Sequence, residues 1–262
     1  MCPNVIFKSE RVKRLPSSKT YTTKTIYNSH VLHRAYRISK NYKKGRKRRL
    51  KKGILLAIEG LDGSGKTTQA KLLYTLLSQE GYNVCYLKEP TDGKWGKKIK
   101  KISQSKKRVI SREGIQKEFE LFLKDRKFDV ENNIKPNINK HAIVILDRYY
   151  YSSIAYQGSL GYIAAEEIKK ENEKIAPRPN IVFILDIPPV ISTTRIHTDG
   201  ENGVRNGFSS FESEKNLERV REAFLHLRDP IVHMIDGTRT RGAILDAIFN
   251  VVISIAQSLE VH

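Results

Sequence analysis

Five short runs of almost purely apolar residues are spread along the chain. Such runs lack the alternation of a strand with one exposed face, so each predicts a strand buried on both faces. Segments with apolar residues at helical spacing lie between them, such as residues 68–80, where four leucines share one face. The strands are expected at residues 54–58, 84–87, 142–146, 181–185 and 231–235.

The alternation of strands and helices predicts an α/β fold in which helices cover both faces of a five-stranded parallel sheet. Residues 97–108 are strongly basic and fit a solvated helix or a loop. Residues 198–210 are rich in Gly and Asn and fit a mobile loop. Helices after the first are expected at residues 111–127, 162–175, 211–227 and 243–259.

Residues 60–67 join the first strand to the first helix and match the phosphate-loop pattern of Gly, four residues, Gly-Lys and Ser or Thr. Glycines let such a loop wrap a phosphate with its backbone N–H groups, and the following helix adds its positive end. Lys66 can reach the β- and γ-phosphates, and the Thr67 hydroxyl can ligate Mg²⁺. A plain glycine turn is the alternative, but the flanking strand and helix favour a phosphate site.

Parallel sheets of this kind bind their ligands beyond the carboxyl ends of the strands. We therefore expect one edge of the sheet to hold the phosphate loop, Glu89, Asp147, Arg148 and Asp186. A carboxylate directly after a strand, such as Asp147, can hold the Mg²⁺ shell. Arg148 offers a planar fork suited to a phosphate. The pair could instead cap the next helix, but the phosphate loop at the same edge favours the functional interpretation.

Basic residues are concentrated at the N-terminus. Residues 1–52 hold 17 Lys and Arg and one acidic residue, whereas residues 53–262 hold 31 basic and 27 acidic residues. The first segment also lacks apolar periodicity, so we expect a disordered basic extension followed by one domain over residues 53–262. No apolar run approaches the roughly 18 residues that cross a membrane.

Several functions suit the basic extension. It could contact nucleic acid through phosphate groups, or it could bind another anionic partner. It could also be a transit peptide to an organelle, because it is rich in Arg and poor in acidic residues. An extension without functional consequence is the remaining alternative. We expect a cytoplasmic protein unless the extension is a transit peptide.

Six segments together form a wider pattern: residues 58–69, 89–90, 121–126, 147–158, 179–180 and 211–212. In this pattern the chain resembles the thymidylate kinases, a family of phosphate-loop nucleoside monophosphate kinases. The resemblance runs from about residue 54 to the C-terminus. Residues 147–158 are its specific part, since a phosphate loop alone fits many nucleotide enzymes.

The resemblance implies the phosphate-loop kinase fold with a mobile lid, and phosphorylation of dTMP by ATP and Mg²⁺ in dTTP synthesis. It implies Lys66, Arg148 and Arg205 as catalytic cations, and Thr67 with Asp147 as the magnesium-binding pair. Arg148 would grip the acceptor phosphate, and Asp62 would lie near the sugar 3′-hydroxyl of dTMP. The implied ATP-binding residues are Gly60, Leu61, Asp62, Gly63, Ser64, Gly65, Lys66, Thr67 and Thr68.

The resemblance also implies a pocket for the base. Phe122 would stack on the base and Arg126 would hydrogen-bond its edge, because residues four apart share one helix face. Ser153 and Tyr156 would line the base and sugar pocket, and Glu89 completes the substrate-binding set. Without the resemblance, Phe122 would fit ordinary core and Arg126 a solvated surface charge.

Two positions depart from the family pattern. Some members carry an arginine where this chain has Gly63, so the resemblance then points to a catalytic arginine in the lid. Arg195 and Arg205 are the candidates, and Arg205 is favoured because it lies in the segment rich in Gly and Asn. Residues 91–92 replace a glycine that many relatives carry, which affects the acceptor-phosphate loop.

Two other functions compete with this one. A kinase for dUMP, CMP or a deoxynucleoside is the nearer alternative, and residues 147–158 together with Phe122 argue against it. A non-enzymatic nucleic-acid-binding protein is more distant, and the intact Lys66 and Asp147 argue against it. The resemblance also implies a homodimer.

Overall fold

The apolar runs form the strands of one parallel sheet, which confirms the predicted α/β architecture. The computed structural model describes residues 47–105, 108–201 and 213–261, with the backbone alone at residues 199–201. Within it the strands follow the spatial order β2–β3–β1–β4–β5, and every neighbouring pair is parallel. The strands are β1 Ile54–Gly60, β2 Val84–Lys88, β3 Ile143–Asp147, β4 Ile181–Asp186 and β5 Val232–Asp236.

The five predicted helices are present with shifted ends, and the described chain contains others that the sequence pattern did not predict. Helix α5 was missed because most of its side chains are buried, so it has no polar face to reveal its period. A π-helical turn over Val130–Ile134 joins α3 to α4. The helices are α1 Lys66–Gln79, α2 Lys94–Ser103, α3 Arg112–Asp129, α4 Lys135–Asn139, α5 Tyr150–Gly158, α6 Ala165–Glu173, α7 Pro189–Glu201, α8 Glu214–Leu225 and α9 Arg241–Ser258.

The central strand β1 is buried on both faces. Leu56 belongs to a buried cluster with Leu73 of α1 and Ile248 of α9. Its neighbours Leu55 and Ala57 are equally buried and point to the opposite face, as alternate residues of a strand do. No helix in the described part of the chain is both long and apolar enough to cross a bilayer.

The strand register brings the functional segments to one edge. Ile58 of β1 pairs with Asp147 of β3, and Lys88 of β2 pairs with the same residue. Gly60, the last residue of β1, lies beside the end of β4. The phosphate loop, Asp147 and Glu89 therefore leave the sheet together, where parallel α/β folds bind their ligands.

The last residues of the basic segment pack against the end of the chain. Leu50 is 3% exposed and forms an antiparallel bridge with Glu260, whose carboxylate pairs with Arg48 at 2.8 Å. These contacts lie near the N-terminal end of β1, whereas the phosphate loop follows its C-terminal end. The predictions about residues 1–46 lie outside the described residues.

Candidate active site

The phosphate loop turns sharply between β1 and α1. Gly60 has a φ of 132°, and a Cβ there would lie 2.5 Å from the carbonyl oxygen of Leu185, so a larger residue does not fit. Gly65, with a φ of 96°, caps the start of α1. Thr67 and Thr68 follow in the first turn, so the positive end of the helix dipole lies at the loop.

Lys66 is a buried cation at the loop. Its Nζ donates a hydrogen bond to the carbonyl oxygen of Leu61 at 2.6 Å. Burial lowers the pKa of Lys66 to about 7, the Arg148 guanidinium adds to this, and Asp62 and Asp147 oppose it. A bound anion would stabilise the charged form of this amine, which is the behaviour that a phosphate site requires.

Thr67 and Asp147 meet across the site. The Thr67 hydroxyl donates to Oδ2 of Asp147 at 2.5 Å, and the Tyr86 hydroxyl donates to the same oxygen at 3.1 Å. The second oxygen of Asp147, Oδ1, is buried and accepts no hydrogen bond from a described residue. A hydroxyl beside a carboxylate with an unused oxygen suits Mg²⁺, which takes its other ligands from phosphates and water. The described residues contain no group of three or more His, Cys, Asp or Glu that could hold a metal by themselves.

Three of the predicted substrate residues are in mutual contact. Arg148 donates from Nη2 to Oδ1 of Asp62 at 2.7 Å, and from Nη1 to the Ser152 hydroxyl at 2.9 Å. The Asp62 amide donates to the Tyr156 hydroxyl at 3.2 Å. The guanidinium carbon of Arg148 lies 5.2 Å from the centroid of the Tyr156 ring. The structure therefore unites Asp62, Arg148 and Tyr156, which are far apart in sequence.

Glu59, which sequence reasoning missed, holds the turn that carries Arg148. The backbone of Arg148 is left-handed, with a φ of 75°. Directly after it, the amides of Tyr149 and Ser152 donate to Oε1 of Glu59 at 2.7 and 3.1 Å, and the Ser152 hydroxyl donates to Oε2 at 2.5 Å. Burial raises the pKa of Glu59, and these hydrogen bonds oppose the rise. An acidic residue inside an apolar strand was the available signal.

Arg126 is 2% exposed, which excludes a solvated surface charge. Its Nε and Nη2 donate to Oε2 of Glu89 at 2.9 and 2.6 Å. Its Nη1 donates to Oδ1 of Asn172 and, at 3.4 Å, to the Ser153 hydroxyl. Burial raises the pKa of Glu89 to about 8, against the opposing effect of Arg126. Phe122, one turn earlier on α3, is half-buried.

The loop after β2 is fastened to α3. The amide and the hydroxyl of Thr91 both donate to the Asp125 carboxylate, each at 2.7 Å. The Gly93 amide donates to the Thr91 hydroxyl at 3.0 Å. The side chain of Thr91 thus anchors the loop.

One of the two candidate lid arginines lies within the described chain. Arg195, in α7, donates from Nη1 to the carbonyl oxygens of Gly63 at 3.3 Å and of Gly237 at 3.4 Å. It therefore contacts the phosphate loop at Gly63. Arg205 and residues 202–210 of the predicted lid lie outside the described residues.

A parallel sheet whose first strand enters a helix through a phosphate loop, with a threonine and a carboxylate facing each other beside it, defines a phosphate-loop nucleotide-binding enzyme fold. A family model described as thymidylate kinase matches residues 58–248. The chain belongs to the thymidylate kinase family, whose reaction is the phosphorylation of dTMP to dTDP.

Individual relatives agree with the family model. A probable thymidylate kinase of Archaeoglobus fulgidus is 42% identical over 186 residues, which cover 71% of this chain and 88% of that relative. A thymidylate kinase of Xanthomonas campestris is 39% identical over 202 residues, 77% of this chain and 84% of the relative. One of Xylella fastidiosa is 37% identical over 203 residues, 78% of this chain and 88% of the relative.

Proposed function

We propose that the chain transfers the γ-phosphoryl group of ATP to the phosphate of dTMP at this edge of the sheet, giving ADP and dTDP for dTTP synthesis. The observation that carries the proposal is the meeting of donor-side and acceptor-side groups. Thr67 and Asp147 lie on the donor side, and Asp62 and Arg148 lie on the acceptor side. The charges of Arg148, Asp62 and Asp147 all act on the pKa of Lys66, so both pairs exert an electrostatic effect on this amine.

On the donor side, residues 60–68 hold the ATP phosphates through backbone N–H groups and Lys66. Thr67 and Asp147 are the residues that would hold Mg²⁺. The ion, when bound, neutralises charge that develops on the transferred phosphoryl group. Such transfers need little covalent help from the protein, so Lys66 contributes by positioning and by charge.

On the acceptor side, Arg148 grips the phosphate of dTMP. Asp62 and Ser152 already fix the plane of its guanidinium. Its other Nη1–H and Nη2–H make only longer contacts, 3.4 Å to the carbonyl oxygen of Gly60 and 3.5 Å to the Tyr156 hydroxyl. These two groups and the Nε–H can therefore meet the phosphate in a set orientation. Asp62 also accepts from the 3′-hydroxyl of the sugar. Tyr156 lines the part of this pocket that holds the sugar, and Ser153 lines the part that holds the base.

For the base, Phe122 supplies a stacking ring and Arg126 a hydrogen-bond donor. Arginine only donates, so Arg126 suits the 4-oxo group of thymine and opposes the 4-amino group of cytosine. Two facing donors in a buried pocket cost about 1–3 kcal/mol. The discrimination against dUMP is weaker, because uracil lacks only a methyl group, worth roughly 1 kcal/mol of burial.

The remaining assignments concern the lid and the assembly. Arg205 supplies a cation to the transferred phosphoryl group, with Arg195 as the second candidate because it already reaches Gly63. The enzyme acts as a cytoplasmic homodimer. The catalytic domain includes residues 47–52, which pack against the end of the chain. The charge of residues 1–46 suits an anionic partner such as nucleic acid, and the alternative is a transit peptide for an enzyme that acts in an organelle.

A substrate panel tests the proposal. We expect kcat/KM with ATP and Mg²⁺ to fall in the order dTMP, dUMP, dCMP. Arg126→Ala should narrow the difference in kcat/KM between dTMP and dCMP, mostly by lowering kcat/KM for dTMP. Lys127→Ala, which changes an exposed neighbour on α3, should leave that difference unchanged. If the parent enzyme has equal kcat/KM for dCMP and dTMP, the thymidylate assignment fails. The chain would then be a kinase for another pyrimidine nucleotide.

A further inference from the structure

Arg126 is held by more partners than base recognition alone would require. A guanidinium has five N–H groups. The Nε–H and one Nη2–H reach Glu89, and the two on Nη1 reach Asn172 and, weakly, Ser153. The centroid of the Tyr149 ring lies 5.5 Å from the guanidinium carbon. One N–H, on Nη2, has no partner among the residues that the structure describes.

Asn172 faces Arg126 in only one amide orientation. It is fully buried near the end of α6, and its Nδ2 donates to the carbonyl oxygen of Ile168 one turn earlier at 2.7 Å. A carbonyl accepts only, so this bond identifies the nitrogen of the side-chain amide and leaves its oxygen towards Arg126. The helix backbone therefore presents a fixed, uncharged acceptor to the guanidinium.

We propose that Asn172 is a positioning residue for base recognition: with Glu89 it fixes the plane of Arg126 and leaves a single Nη2–H to meet the base. This inference rests on the proposed role of Arg126 in binding dTMP. The two anchors lie 37 residues before and 46 residues after Arg126 in the chain, so they hold it from two separate elements. Rotation of the guanidinium would break one or both contacts.

The neutral character of Asn172 matters because the surroundings are already acidic. Glu89 pairs with Arg126 at 2.6 Å, and Asp129 and Asp125 add to the rise in the pKa of Glu89 that burial causes. Both of these carboxylates are 2% exposed. Another carboxylate at residue 172 would add a buried charge, whereas an amide oxygen accepts the same hydrogen bond without one.

A double-mutant cycle tests the inference. Asn172→Ala is expected to raise KM for dTMP about tenfold, as for one lost hydrogen bond to a charged group. The kcat and the KM for ATP should stay unchanged, because the lost contact contributes equally to the ground and transition states. The ratio of kcat/KM for dTMP to that for dCMP should shrink. In the Arg126→Ala background, Asn172→Ala should not change that ratio further.

Control variants separate positioning from support of the fold. Asn133→Ala removes a comparable bond, from Nδ2 to Asp129 at 2.6 Å, without touching Arg126, and should leave the ratio unchanged. Asn172→Asp keeps an acceptor for Arg126 and should retain the preference for dTMP while lowering the melting temperature. If Asn172→Ala does not fold, Asn172→Leu removes the same acceptor at nearly constant volume and gives the same test.

The outcomes distinguish this inference from the proposed function. If Arg126→Ala alone leaves the dTMP to dCMP ratio at the parental value, the base-recognition role of Arg126 fails, and the inference fails with it. If Arg126→Ala narrows the ratio but Asn172→Ala does not, only the inference is overturned. A variant at residue 172 that lowers kcat equally for all nucleotides, with a lower melting temperature, also overturns it, since that pattern indicates structural support.

Discussion

The amine of Lys66 makes nucleotide binding depend on pH in a way that can be measured. In the free protein, burial lowers its pKa from 10.5 to about 7, and the Arg148 guanidinium lowers it further. A bound phosphate restores the charged form. Above neutral pH, binding must therefore be accompanied by the uptake of a proton, and we expect affinity to weaken as pH rises.

The size of the effect follows from the two pKa values. Charging Lys66 in the free protein costs on the order of 5 kcal/mol relative to a solvated lysine, since its side chain is buried and solvent screening is small. Affinity should fall almost tenfold for each pH unit above 7. Between about pH 7.5 and about pH 9, the dissociation constant of ADP should rise roughly 25-fold.

Isothermal titration calorimetry of ADP without Mg²⁺ provides the assay. The second phosphate pKa is about 6, so the ligand stays ionised over this pH range. Titrations in two buffers with different ionisation enthalpies count the protons taken up. Lys66→Arg is the matched control, because a guanidinium keeps its charge throughout and should bind ADP with a flat pH profile.

Two results would refute this reasoning. A flat profile for the parent would mean that Lys66 is charged in the free protein at every pH tested. An equal slope in Lys66→Arg would assign the titration to another group, of which Glu89, with its pKa raised to about 8 by burial, is the nearest candidate.

Three further predictions concern catalysis, the N-terminal segment and the lid. Lys66→Ala should lower kcat at least about a hundredfold in a phosphotransfer assay. In a thermal melt at pH 6, its melting temperature should be no lower than that of the parent, because the charged lysine is costly to bury. Deletion of residues 1–46 leaves kcat and KM unchanged, whereas deletion of residues 1–51 removes buried Leu50 and lowers the free energy of unfolding in urea by about 2–3 kcal/mol. In steady-state kinetics, Arg205→Ala lowers kcat far more than it raises KM for dTMP.

Each of these has a control. Lys71→Ala, on an exposed part of α1, should leave activity intact, and full activity in Lys66→Ala would contradict the role of that lysine. Leu50→Ala in the full chain distinguishes the loss of the buried side chain from the other effects of the deletion on the free energy of unfolding. If the protein lacking residues 1–46 folds but is inactive, the N-terminal extension contributes to the active site. A loss of kcat in Arg195→Ala instead of Arg205→Ala would move the lid role to Arg195.

The sequence by itself determined those features whose physical cause is local. The phosphate loop could be located because its glycines, Lys66 and Thr67 lie in one short segment between a strand and a helix, and the structure confirms that arrangement. Asp147 and Arg148 were found for the same reason, since they directly follow an apolar strand. The parallel sheet followed from alternation along the chain, although its strand order did not.

Only the tertiary structure decided which distant side chains meet. Without the resemblance, the sequence favoured a solvated surface charge for Arg126, and its burial depends on Glu89 and Asn172, which lie outside α3. Glu59 fits its strand poorly by composition, yet three hydrogen bonds from the turn after Arg148 satisfy it. A buried charge becomes tolerable when its partners are brought to it by packing. No local pattern encodes such partners, because they depend on how β2, α3 and α6 are brought together in space.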